Sequence, residues 1–198
     1  MWSTFKEWYR KNVNDRLENK IDNALVFKNR QVEICGNHYF LGKGTLTDLP
    51  DIVKVSRAAG RGHFKWSRKR FQLGLRNDHD RFYFILRYHD ELVGFIDAVI
   101  KRDQRLCIID SLAILPEFQH HGLGYFLITT CIERAREMEL QQVLVCCSDD
   151  DDKTQGILTD LGFVTKEEAK QDRAETGLTE FQLNLEKRNV LASKNFGR

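Results

Sequence analysis

Proline is scarce in this chain: Pro50 and Pro116 are the only two in 198 residues. With thirteen glycines, that excludes a collagen-like or low-complexity protein. Neither sign of charge dominates, with 31 bases against 29 acids, so no global field calls for nucleic acid or a membrane surface. Long apolar runs are also missing. Uncharged stretches such as Gly122–Ile132 fall well short of the roughly 20 residues of a membrane span, and Met1-Trp2-Ser3-Thr4-Phe5-Lys6-Glu7 lacks the apolar segment of a signal peptide. The five cysteines (Cys35, Cys107, Cys131, Cys146, Cys147) are odd in number and form no C-x-x-C pair. Four of them sit within expected strands or helices, which suggests reduced, buried thiols of a cytoplasmic protein. The six histidines show no metal-ligand spacing with them, so no metal is expected. Aromatic residues are plentiful, thirteen Phe, five Tyr and three Trp, too many for a disordered chain.

Apolar side chains at Trp2, Phe5, Trp8/Tyr9, Val13, Leu17, Ile21 and Ala24/Leu25 recur in steps of three and four, the stripe of an amphipathic helix. Four acids on the opposite face argue against a membrane anchor, so the stripe is expected to pack on the main domain or on a second copy, which makes a homodimer possible. From Val32 the period changes. Val32–Thr45 reads as extended, and Thr47-Asp48-Leu49-Pro50 as a capped helix start with proline in the first turn. A short helix follows over Ser67–Leu75. Phe82–Tyr88 and Leu92–Ile100 form a hairpin about His89-Asp90-Glu91, and Arg105–Leu115 is a third strand. Then come a helix from Gly122 to Met138, a buried strand over Gln142–Ser148, a helix over Asp151–Leu161 closed by Gly162, and strands at Phe163–Lys166 and Leu178–Leu185. The passage over 105–148 requires a parallel crossover. The fold class is therefore α/β, in the α+β sense of a mixed sheet with helices on both faces.

The chemistry is concentrated where the third strand ends: Leu112-Ala113-Ile114-Leu115-Pro116-Glu117-Phe118-Gln119-His120-His121-Gly122-Leu123-Gly124. Two glycines open a helix directly after a strand and a short loop. Unpaired N–H groups of such a first turn point to one place, and glycines at 122 and 124 would let a ligand approach the backbone. A phosphate or pyrophosphate there meets several donors and the positive end of the helix dipole. His120 and His121 can add charge, and Gln119 can brace the loop.

Residues 105–165 resemble the acetyl-CoA-binding core of the GNAT superfamily of N-acetyltransferases. The family's Gln/Arg-x-x-Gly-x-Gly/Ala motif stands here as Gln119-His120-His121-Gly122-Leu123-Gly124, and Leu161-Gly162-Phe163 resembles the end of its later helix. The element order from Val32 to Leu185 also fits. The resemblance implies a sheet of six to seven strands, with residues 1–30 as an added helical extension, 31–186 as the transferase domain and 187–198 as a polar tail. It implies that acetyl-CoA is the cosubstrate and a primary amine the acceptor, joined by direct attack on the thioester. Main-chain groups of Leu112, Ala113 and Ile114 would pair with the pantetheine arm, and the N–H groups of Gln119, His120, His121, Gly122, Leu123, Gly124 and Tyr125 would hold the pyrophosphate. Asp151, at the start of the later helix, takes the place of a frequent asparagine. Asp110 is the candidate base, its alternatives being an arginine partner or a role at a bulge, and the Ile114 N–H is the candidate oxyanion donor. One departure is plain: the place of the family's frequent acid tyrosine is Leu158, which leaves water, Tyr125, Ser148 or Cys146 to protonate the thiolate.

Arg57–Arg76 carries seven bases and no acid, interleaved with Phe64, Trp66 and Phe71. It is either a solvated face, a contact for an anionic acceptor, or a nucleic-acid contact. A CoA-binding module without catalysis and an RNA-binding or RNA-modifying protein are the alternatives to the enzyme.

Overall fold

The computed structural model describes residues 15–59, 67–166 and 177–185. The stripe positions from Trp2 to Val13, the bases and aromatics between 60 and 66, and the tail at 187–198 lie outside the described residues.

Residues 15–25 are helical (α1), and the chain continues through strands β1 (Arg30–Ile34) and β2 (Asn37–Lys43), helices α2 (Leu49–Ala58) and α3 (Arg68–Arg76), strands β3 (Arg81–Tyr88), β4 (Glu91–Lys101) and β5 (Leu106–Ile114), helix α4 (Leu123–Glu137), strand β6 (Gln142–Ser148), helix α5 (Asp152–Asp160) and strands β7 (Val164–Thr165) and β8 (Leu178–Asn184). All eight strands form one sheet in the order β1-β2-β3-β4-β5-β6-β8-β7. The β5–β6 pair alone is parallel among these neighbours, with α4 as its crossover. The mixed sheet agrees with the expected class, but eight strands stand among the described residues where six to seven were expected. Val32–Thr45 is not one extended run. It turns back at Cys35 and Gly36, both with positive φ (49° and 79°), the two-residue hairpin geometry that matches strand twist.

The start of α2 also differs from expectation. Neither Thr47 nor Asp48 caps α2 through its side chain. Instead Asp48 closes the short turn before it, accepting from the Thr45 N–H at 2.8 Å, while Pro50 sits in the first turn of α2. Ser67 caps α3, its Oγ accepting from the Arg70 N–H at 3.3 Å. Asp151 caps α5, accepting from the Thr154 N–H at 3.1 Å, and Gly162 ends that helix at φ +87°.

Side-chain alternation along β3 sorts the helices onto two faces. Tyr83 and Arg81 meet α3, where a Cβ on Gly74 would lie 2.3 Å from the Tyr83 hydroxyl. Phe95 on β4 packs edge-on against Phe71 of α3. Phe84 points the other way, under the Arg134 guanidinium of α4 and against Phe27. So α2 and α3 cover one face and α4 the opposite one. Helix α1 buries Ile21, Ala24 and Leu25 in the core, so this part of the stripe packs on its own domain. Its polar side is pinned by Arg102, which bonds Asp22 at 2.8 Å, Asp80 at 2.6 Å and Glu18. No helix among the described residues is long and apolar enough to cross a membrane.

Candidate active site

Strands β5 and β6 run side by side only as far as the Ile109–Val145 pair. Beyond it β5 continues to Ile114 beside β4, and β6 to Ser148 beside β8, without pairing with each other, so the sheet opens into a gap at the carboxyl ends of its two parallel strands. A groove of about 390 Å³ fills that gap. Ser56, Ala59 and Arg70 line it from the α2/α3 face, Asp110, Leu112 and Ala113 from β5, Cys146 and Ser148 from β6, and Ile128, Asp151 and Thr154 from α4 and α5. The opening therefore reaches through the sheet.

On the β5 side, the main chain is left with unused pairing capacity. The Leu115 N–H donates to the Val93 carbonyl on β4 at 2.9 Å. Alternation along the strand then turns the main-chain groups of Ile114 and Leu112 the other way, into the gap. The Ile114 carbonyl accepts from Gln119 Nε2 at 3.1 Å, which is the bracing role expected of Gln119.

Past the strand, the loop enters α4 through two left-handed residues, His120 (φ 67°) and Gly122 (φ 76°). Among the described residues, no acceptor takes the N–H groups of His120, His121, Gly122, Leu123, Gly124 or Tyr125, whereas the Gln119 N–H is already used by the Pro116 carbonyl. These amides form a concave donor set at a helix N-terminus. Lys153 of α5 reaches the same place, its Nζ 3.2 Å from His120 Nε2. The two glycines have different jobs, which corrects the expectation that both clear a path for a ligand. A Cβ on Gly122 would face the β1–β2 turn, 3.2 Å from Cys35 Sγ, whereas one on Gly124 would meet nothing nearer than Ile157 Cδ1 at 3.9 Å. Gly122 provides the backbone conformation and the contact with the hairpin. Gly124 leaves open space.

Asp110 is the bulge residue of β5. Ile109 pairs with Ala98 and Ser111 with Asp97, leaving Asp110 as the extra residue between them, and such a bulge re-aims its side chain. Both carboxylate oxygens are engaged. Oδ2 accepts from Arg81 Nη2 at 2.5 Å and Oδ1 from Arg70 Nη2 at 2.6 Å. Arg81 is largely buried and also donates to Asp97 Oδ2 at 3.1 Å. Asp97, 1% exposed, also accepts from Ser111 at 3.3 Å, while its Oδ1 has no partner. Burial pushes the Asp97 carboxyl up to about 7, with the Asp110 charge adding to the rise and Arg81 opposing it.

The Arg70–Asp110–Arg81–Asp97 chain was not anticipated as a unit. Its visible signal is Asp97 itself, the one acid inside the apolar run Leu92–Ile100. Of the expected thiolate acids, Ser148 and Cys146 line the groove, while Tyr125 is an exposed residue of the first turn of α4. Cys146 is exposed rather than packed within the sheet. Partial desolvation of its thiol within the groove, with the Glu180 and Asp110 charges, nevertheless pushes its pKa up, which keeps the proton on and weakens it as a nucleophile. Leu158 is wholly buried and serves the core.

A mixed sheet split between two parallel strands, with a donor-lined helix start beside the split, is the acyl-CoA N-acyltransferase architecture of the GNAT fold. The chain belongs to the GNAT acetyltransferases: the family description "Acetyltransferase (GNAT) family" matches residues 50–163. No curated protein sequence matches it. Among solved structures, the GNAT domain of S. lividans PAT is 12% identical, with a TM-score of 0.67 over 79% of this chain and 96% of that one. PaiA N-acetyltransferase from Thermoplasma acidophilum, in complex with coenzyme A, is 13% identical, with a TM-score of 0.64 over 74% and 98%. The ribosomal-protein-S18-alanine N-acetyltransferase of Escherichia coli is 16% identical, with a TM-score of 0.62 over 74% and 94%.

Proposed function

We propose that this protein is an N-acetyltransferase that moves an acetyl group from acetyl-CoA to a primary amine by direct attack. One observation carries the reading: the amides from His120 to Tyr125 are unpaired at the start of α4, just after the carboxyl end of β5 where that strand has parted from β6. The amides would hold the pyrophosphate, with Lys153, bonded to His120, adding positive charge and Asp151 lining the groove nearby. The pantetheine arm would lie along Leu112, Ala113 and Ile114, pairing with the strand groups that β6 leaves unused. The thioester then sits inside the gap, with Asp110 on the α2/α3 side.

The amine nitrogen forms a bond to the acetyl carbon, and the carbon–sulfur bond breaks. The Ile114 N–H stabilises the oxygen that gains charge. The amine proton passes to Asp110 Oδ1 once Arg70 withdraws from it, because both oxygens are otherwise taken. Arg81 holds the other oxygen throughout and fixes the carboxylate. Ser148 and Cys146 are the side chains on hand to return a proton to the departing thiolate.

The double engagement of Asp110 also favours a second reading, a CoA-binding module without turnover. Two measurements decide between them. Calorimetric titration with acetyl-CoA should show one site, and its absence removes both readings. Steady release of free thiol with a panel of primary amines should fall about 100-fold or more in Asp110→Asn with acetyl-CoA affinity unchanged, the scale expected for loss of a general base. No release from the wild type leaves the second reading.

A further inference from the structure

Seven of the chain's 31 lysines and arginines stand between Arg57 and Arg76 without an acid among them, so the remainder of the molecule is net acidic. The excess is local, and among the described residues the fold places five of the seven, Arg57, Arg68, Lys69, Arg70 and Arg76, on α2 and α3, which pack against one another. Arg57 at the end of α2 and Arg68, Lys69 and Arg76 of α3 are exposed, and none has an acidic partner among the described residues. The sheet-facing side of α3 is occupied differently: Phe71 is 1% exposed, Gly74 is closed by Tyr83, and Arg70 is held by Asp110. The charge that faces outward is thus unspent, and it surrounds Leu73, which is 56% exposed.

We infer that the outer face of α3 docks an acidic polypeptide segment, which carries the amine to be acetylated. Three features support a polypeptide over RNA. Single-stranded RNA binds through aromatic stacking as well as phosphate pairing, yet the aromatic residue of α3 is turned into the core. An exposed leucine in a basic field gives an apolar side chain of a peptide somewhere to rest while its carboxylates meet Arg68, Lys69 and Arg76. Arg70 of the same helix lines the groove and touches Asp110, so a segment lying on α3 brings a neighbouring amine to the reactive end of the gap. The docking rests on charge and shape alone. The identification of the docked segment as acceptor rests on the acetyl-transfer reading.

The test uses fluorescence anisotropy with three labelled probes: a glutamate-rich peptide containing one leucine, its glutamine-for-glutamate counterpart, and an oligouridylate of equal length. The glutamate peptide should bind about tenfold or more tightly than the glutamine one and lose that margin in high salt, as exposed charge pairs do. Reversing three exposed bases together (R68E, K69E, R76E) should weaken it about tenfold or more, because three attractive pairs are lost and repulsion replaces them. Leu73→Ala should weaken it by roughly threefold. Acetyl-CoA titration of each variant should match the wild type, which shows that the fold and the groove are intact. Equal binding of both peptides, indifference to charge reversal, or tighter binding of the oligouridylate overturns the inference. Acidic-peptide binding in a protein that takes no acetyl-CoA would overturn the transferase reading while leaving the docking face in place. With both established, a lysine placed in the glutamate-rich peptide should be acetylated and one in the glutamine-rich peptide should not.

Discussion

Gly122 and Gly124 stand two residues apart and are interchangeable by sequence, yet they do different physical work. The first adopts a left-handed backbone and packs on Ile34 and Cys35. The second keeps a volume empty in front of unpaired amides. Gly124→Asp separates stability from binding. An acid in the first turn of a helix interacts well with its dipole and contributes about 0.3–1 kcal/mol, so the melting temperature should hold or rise. The same carboxylate would stand where a diphosphate must approach, and acetyl-CoA affinity should fall on the order of tenfold or more. Calorimetry and thermal melting on one preparation check both halves. At this scale the sequence was informative where a role depends on neighbours along the chain. Gln119 reaches a carbonyl five residues back, and Asp151 caps its own helix. Arg81 and Asp97, and the identity of Arg70 as a partner of Asp110, escaped notice because their meeting depends on strand register and on the seating of α3, neither of which is written in local spacing.

Among the elements, the β1–β2 hairpin was missed for a definite reason. Its first turn residue is Cys35, a type seldom found at positive φ, where Asn or Asp would have announced the turn. By contrast, the hairpin at His89, the crossover through α4 and the Gly162 stop all follow from period and punctuation. Helix α3 shows how an element's seating controls the site. Alanine is the better helix former by about 1 kcal/mol, so Gly74→Ala would stabilise an exposed helix. Here the added methyl would lie 2.3 Å from the Tyr83 hydroxyl and 2.7 Å from Arg81 Nη1. Both groups are buried, and overpacking of this kind costs about 1–3 kcal/mol. Urea unfolding should therefore show net destabilisation. Because the clash falls on the arginine that holds Asp110, acetyl transfer should drop further than acetyl-CoA binding does.

For the whole molecule, the buried Asp97 makes stability depend on pH in an unusual sense. Its carboxyl is raised to about 7 by burial, so the folded protein holds that proton more tightly than the unfolded chain does. Between about pH 4 and 7 its contribution to stability declines as pH rises, and above that window it is constant. Ordinary salt-bridged carboxylates contribute with the opposite slope. Urea unfolding free energies at pH 5 and pH 7.5 should differ on the order of a few kcal/mol less favourably for the wild type at the higher pH than for Asp97→Asn. Equal differences in the two proteins would show that Asp97 ionises freely. The order and type of elements that frame this core were readable because hydrophobic period survives in one dimension. The charge network that crosses three strands was not, since it exists only after the sheet is assembled.

The opening between β5 and β6 is lined from both faces of the sheet, by Ile128 of the helix that the unpaired amides begin on one side and by Arg70, which holds Asp110, on the other. If the proposed transfer holds, two molecules would arrive by separate doors and meet in the middle. Neither would have to vacate the site for its counterpart, no covalent relay through the protein would be called for, and a bulky acceptor would not compete for room with the nucleotide end of the donor.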